Sequence, residues 1–166
     1  FQKTYESAVT DRLGAGVIVL PMGVFVISSM LMIAGMSNAV NITDGMDGLA
    51  SGVTVAVAIG LLVLCFIAGS EAAAKSLLVP YVPSSGELAI VTAALIGAVL
   101  VFLWFNCSPA AVFMGDTGSL CLGGLLAYIG VVIRHEVVLL VMAGVFCWEI
   151  ASVVMQVGYF KYTKGK

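Results

Sequence analysis

Apolar residues run almost unbroken through five stretches, 17–37, 52–69, 87–105, 119–133 and 137–157, with polar and glycine-rich residues between them. About 20 mostly apolar residues cross a hydrocarbon core of roughly 30 Å, so each stretch predicts a transmembrane helix. The fourth is short, and is expected to tilt little, to begin inside the preceding loop or to pack where the bilayer is thin. Glycine, alanine and serine are scattered through the stretches rather than alternating every second residue, which favours packed helices over a barrel. The predicted fold class is all-α, a polytopic membrane helical bundle forming a single membrane domain over 1–166.

Composition agrees: 61% of the 166 residues are hydrophobic and 10% charged, with a mean hydropathy of +1.16, far above that of a soluble domain. The first stretch is not a signal peptide, because it is long, follows a charged segment and has no small-residue cleavage site after a short apolar core. Cys65, Cys107, Cys121 and Cys147 are widely spaced without a CxxC pair and read as small packing residues. The net charge of −2 and the absence of a basic cluster exclude nucleic acid as a partner.

Five crossings place 38–51, 106–118 and 158–166 on one side of the bilayer, and 1–16, 70–86 and Arg134-His135-Glu136 on the other. Lys161, Lys164 and Lys166 then stand against Lys3, Arg12, Lys75 and Arg134, a balance that leaves the orientation open. Loop 70–86 reads as a solvated connector, and His135 as a solvated turn residue.

Two patches on the first side break the apolar pattern: Asn41-Ile42-Thr43-Asp44-Gly45-Met46-Asp47-Gly48 and Phe113-Met114-Gly115-Asp116-Thr117-Gly118-Ser119. Asn41, Asp44 and Asp47 recur every three residues, which on a helical turn projects them to one side. Gly45 and Gly48 allow close approach by a ligand or a turn that other residues resist. Asp116, Thr117 and Ser119 suit a helix N-terminus, where they cap free amides. The same geometry offers amides to a phosphate and a hard oxygen to Mg²⁺. Carboxylates gathered on one face without a basic partner call for a divalent cation, protonation or substrate donors, and a magnesium–phosphate site meets that need. Phe113, at the edge of a polar loop, is suited either to stacking on a base or to anchoring at the interface.

The segments 38–50, Phe102-Leu103-Trp104-Phe105-Asn106, 109–119 and Gln156-Val157-Gly158-Tyr159-Phe160-Lys161 closely resemble the bacterial phospho-N-acetylmuramoyl-pentapeptide transferase (MraY) family, within the polyprenyl-phosphate N-acetylhexosamine-1-phosphate transferase superfamily. The resemblance runs from about residue 17 to the C-terminus. It implies transfer of phospho-MurNAc-pentapeptide from UDP-MurNAc-pentapeptide to undecaprenyl phosphate, giving lipid I and UMP at the cytoplasmic face of the bacterial inner membrane. It further implies Mg²⁺ as cofactor, with Asp116 its ligand and Asn41 a second metal or nucleotide contact. Asp44 and Asp47 would line the nucleotide-sugar pocket and assist catalysis, Asn106 would support the site, and Phe113 and Gln156 would contact the uracil. Pairing as a homodimer is implied in the same way.

The family's fold has ten transmembrane helices, and the five here resemble the fifth to ninth. Its adjacent aspartate pair and histidine-rich motif have no counterpart in this sequence. The expectation is a fragment inactive by itself. Glu149, the one carboxylate well inside an apolar stretch, reads as a packing residue with its partner on a neighbouring helix. Two alternatives remain: a related UDP-GlcNAc polyprenyl-phosphate GlcNAc-1-phosphate transferase, and a cation transporter with Asp44, Asp47 and Asp116 lining its path.

Overall fold

The computed structural model describes residues 21–163, and all regular structure within them is helical. Seven helices follow in order: α1 Met22–Thr43, α2 Leu49–Gly69, α3 Glu71–Leu77, α4 Ser85–Asn106, α5 Gly115–Val132, α6 Glu136–Met142 and α7 Gly144–Tyr162. Residues 17–20 of the first predicted span, and Lys3, Arg12, Lys164 and Lys166, lie outside the described residues. Helices α1, α2, α4 and α5 are each long and apolar enough to cross a membrane, and the chain is a multi-pass membrane protein.

The fifth apolar stretch is not one straight helix. It folds as α6 and α7, bent by 72° at the break between them. Ala143 ends α6, its N–H reaching back to the carbonyls of Leu139 and Val141, and Gly144, a poor helix former, opens α7. The apolar run 137–157 records hydropathy, which continues across the bend, and so gives no sign of it.

Two antiparallel pairs make the bundle, α1 against α5 and α2 against α4, with α7 also resting on α1. In the second pair, Ser51 of α2 meets Asn106 of α4 at one end. At the other end the Ser85 hydroxyl donates to the Cys65 carbonyl at 2.9 Å. Small residues allow this closeness: a Cβ on Gly69 would stand 3.0 Å from the Ser85 hydroxyl. The core between the pairs holds Val40, Ala58, Leu61, Cys65, Leu126, Ile129 and Phe146. Outward-facing Ile27, Leu31, Val63, Phe66, Ile90 and Val101 are exposed, as suits helices solvated by lipid tails.

The far-side link differs from its sequence reading. His135 is 5% exposed rather than solvated. Its Nδ1 donates to the Ile133 carbonyl at 2.6 Å, and Arg134, at φ +59°, turns its guanidinium over the Phe25 ring at 5.5 Å. A cationic neighbour and a tight turn made the segment look wet, but the turn folds the imidazole inward. In loop 70–86 the short helix α3 carries an exposed Glu71–Lys75 ion pair, which suits a connector.

Candidate active site

The C-terminus of α1, the N-terminus of α2, the C-terminus of α4 and the N-terminus of α5 meet at one end of the bundle, and both acidic patches lie there. The contact that joins them is a single amide. Asn41 Nδ2 donates to Asp116 Oδ1 at 3.0 Å and to the Ser119 hydroxyl at 2.9 Å, bridging residues 75 and 78 positions apart.

Asp116 lies in the first turn of α5, where a negative side chain suits the helix dipole. Capping does not account for it. Met114 is the N-cap residue, and no side chain caps the helix. The Ser119 hydroxyl instead bonds back to the carbonyls of Gly115 and Asp116. The Asp116 carboxylate is exposed, with the Asn41 amide on one oxygen.

Helix α1 ends at Thr43, so the three-residue spacing of the first patch is helical only as far as Asp44, whose N–H reaches back to the carbonyls of Asn41 and Val40. Asp44 is half-buried. Burial raises its carboxyl above the ordinary 3.8, and the negative charge of Asp116 raises it further. The two patches thus act on each other electrostatically as well as through the Asn41 bridge.

Asp47 stands on the following turn, exposed, and its Oδ2 accepts the Ala110 N–H at 3.1 Å. This ties the turn after α1 to the loop before α5. Of the two glycines, only Gly48 needs its freedom: it sits at φ +74°, with the Asn106 carbonyl oxygen 3.5 Å from where a Cβ would be.

Asn106 is 3% exposed and is committed to the scaffold. Its Oδ1 accepts from the Gly48 N–H at 3.1 Å and the Ser51 hydroxyl at 2.7 Å, while its Nδ2 donates to the Val112 carbonyl at 2.9 Å. One side chain therefore holds the start of α2 and the loop before α5 in register. Phe113, on that loop, is 73% exposed. Gln156 stands apart in bonding: it is exposed on α7 and donates to Ser152 one turn back rather than to the acidic cluster. Glu149 is half-buried on the same helix.

Ser51 and the Ala110 N–H are partners that sequence reasoning left without roles, and Ser119, expected to cap the helix, instead accepts from the Asn41 amide. Only Ser119 carried a signal, its place one turn after Asp116. Among the described residues no three His, Cys, Asp or Glu side chains form a group that could hold a metal ion. The donors fit Mg²⁺ nonetheless, because that ion is ordinarily held by one or two carboxylates with substrate phosphates completing its shell rather than by an all-protein cage.

A helical membrane bundle with carboxylates clustered at one end defines a polytopic membrane protein with a polar site at its boundary. The chain belongs to glycosyl transferase family 4, whose family model matches residues 4–134. Over 151 residues, 91% of this chain, it is 51% identical to a phospho-N-acetylmuramoyl-pentapeptide-transferase of Thermodesulfovibrio yellowstonii. The chain spans 40% of that relative's length.

Proposed function

We infer that this chain supplies the metal- and nucleotide-binding part of a phosphoglycosyl transferase that moves phospho-MurNAc-pentapeptide from UDP-MurNAc-pentapeptide to undecaprenyl phosphate, yielding lipid I and UMP. The observation that carries the reading is the Asn41–Asp116 bridge, which unites two separate acidic motifs in a chain half identical to a relative of that name. The site would face the cytoplasm in a bacterial inner membrane, and the resemblance extends to a homodimer.

In the reaction, a phosphate oxygen of the lipid forms a new bond to the β-phosphorus of the UDP-sugar as the bond to the UMP oxygen breaks. Asp116, with Asn41 beside it, would hold Mg²⁺. When bound, that ion neutralises diphosphate charge, the main requirement of phosphoryl transfer. The Asn41 amide orients the Asp116 carboxylate by donating to Oδ1. Asp44 and Asp47 line the same end of the bundle and would face the nucleotide sugar, and Asp47 and Asn106 hold the loop that carries Phe113. The exposed Phe113 ring offers a face for uracil, and Gln156 would join it from α7.

The test uses the full-length protein in detergent or nanodiscs, with UDP-MurNAc-pentapeptide or UDP-GlcNAc as donor and undecaprenyl phosphate as acceptor. Mg²⁺-dependent UMP release with the muramoyl donor is expected. Turnover of UDP-GlcNAc instead would move the protein to the sister branch, and no turnover of either would overturn the reading.

A further inference from the structure

Helices α1 and α5 touch backbone to backbone one turn below the bridge. A Cβ on Gly123 would stand 2.5 Å from the Met36 carbonyl oxygen and 2.7 Å from the Ser37 Cα. Both are backbone atoms, which no rotamer change can move aside. On the same seam the Ser37 hydroxyl donates to the Leu120 carbonyl at 2.8 Å. Ser37 lies one turn before Asn41 on α1, and Gly123 lies one turn after Ser119 on α5. The antiparallel helices are therefore pinned one turn from where Asn41 meets Ser119 and Asp116.

We propose that the Gly123 backbone contact and the Ser37–Leu120 bond position the Asn41–Asp116 pair, setting the spacing and height of α1 against α5. The proposal rests on the reading of Asp116 as the ion-binding carboxylate. Ordinary contact starts near 3.4 Å, so a methyl group at 123 forces the backbones apart by about 1 Å. The Asn41–Asp116 bond, already 3.0 Å long, does not survive an opening of that size. A displacement of about 1 Å at a reacting centre can cost about 10²-fold in rate. Gly124, the next residue, has nothing within 4 Å of its Cβ position. Gly130, at the other end of α5, is crowded by the Leu139 side chain rather than by α1.

The experiment compares Gly123→Ala, Ser37→Ala, Gly124→Ala and Gly130→Ala in the full-length protein. It measures Mn²⁺ affinity by electron paramagnetic resonance, kcat and KM for transfer, thermal stability, and the cryo-EM structure of Gly123→Ala. Expected for Gly123→Ala are a broken Asn41–Asp116 contact, Mn²⁺ binding at least tenfold weaker and kcat about 10²-fold lower with the lipid KM unchanged. Ser37→Ala, which adds no bulk, should shift Mn²⁺ affinity and kcat the same way by a few-fold. Gly124→Ala should match the parent, and Gly130→Ala should lose thermal stability without changing Mn²⁺ affinity. An intact bridge in Gly123→Ala, or an equal affinity loss in Gly130→Ala, would overturn the proposal. Should Gly123→Ala fail to fold, parent-like Mn²⁺ binding and kcat in Ser37→Ala would also overturn it. If the parent transfers nothing from UDP-MurNAc-pentapeptide, the functional reading falls, while the cryo-EM comparison still decides whether this seam positions the pair.

Discussion

Asn41 and Asp116, on helices that begin 93 residues apart in sequence, meet in a hydrogen bond of 3.0 Å from amide to carboxylate. The amide neutralises no charge. It fixes one oxygen of an exposed aspartate and leaves a negative group at the end of a membrane bundle, where charge is costly unless a cation or a ligand compensates it.

If that aspartate binds the ion, Asp116→Asn should nearly abolish UMP release by the full-length protein. Asn41→Ala should lower it by about 10²–10³, the range for removing one preorganised group at a charged transition state. Substantial transfer by purified, folded Asp116→Asn protein would remove Asp116 from its role.

Asn106→Ala should behave as a scaffold mutation. It strips partners from the Gly48 N–H, the Ser51 hydroxyl and the Val112 carbonyl at once, and each net hydrogen bond is worth about 1 kcal/mol. A loss of about 2–4 kcal/mol is expected, read as a fall in thermal midpoint in detergent. An unchanged midpoint would show that water replaces the side chain at little cost.

Gly48→Ala should cost about 1–2 kcal/mol, the penalty of a left-handed conformation for an L-residue, because the native φ is +74°. Gly45 has a Cβ position with only the Ile42 carbonyl oxygen nearby, at 3.9 Å, and no positive φ. Gly45→Ala should therefore leave stability close to that of the parent. Equal losses for both variants would contradict the assignment of the turn to Gly48.

Stability should also respond to pH through Asp44. Burial first, and then the charge of Asp116, raise its carboxyl above 3.8. An acid raised on folding contributes stability that is present below its unfolded value and is lost as pH rises through its folded value. In metal-free buffer the melting midpoint should thus decline as pH climbs from about 3.8 through the raised value, and Asp44→Asn should flatten that part of the curve. A decline of the same size in Asp44→Asn would place its origin elsewhere.

Much of the candidate site was legible because its residues sit in two short runs. Asn41, Asp44, Asp47 and Asp116 stood out as carboxylates and amides at the ends of apolar stretches, where hydrocarbon makes polar groups conspicuous. The division of labour among them was not legible. Asn106 carried no mark of its three internal bonds, nor Asp47 of its hold on Ala110, since these depend on how the turn after α1 and the loop before α5 are brought together. His135 misled for a related reason: flanking charges describe the chain locally, whereas burial depends on how the turn is directed.

The helical membrane architecture and the placement of both acidic patches at one end were written in the order of residues. Hydropathy over span-length windows and the alternation of crossings are one-dimensional properties. Tertiary structure alone decided which patch residues meet, that the last apolar stretch bends by 72°, and that α1 and α5 touch backbone to backbone at Gly123. Such outcomes depend on distances of a few tenths of an ångström between helices, set by packing across residues far apart in the chain.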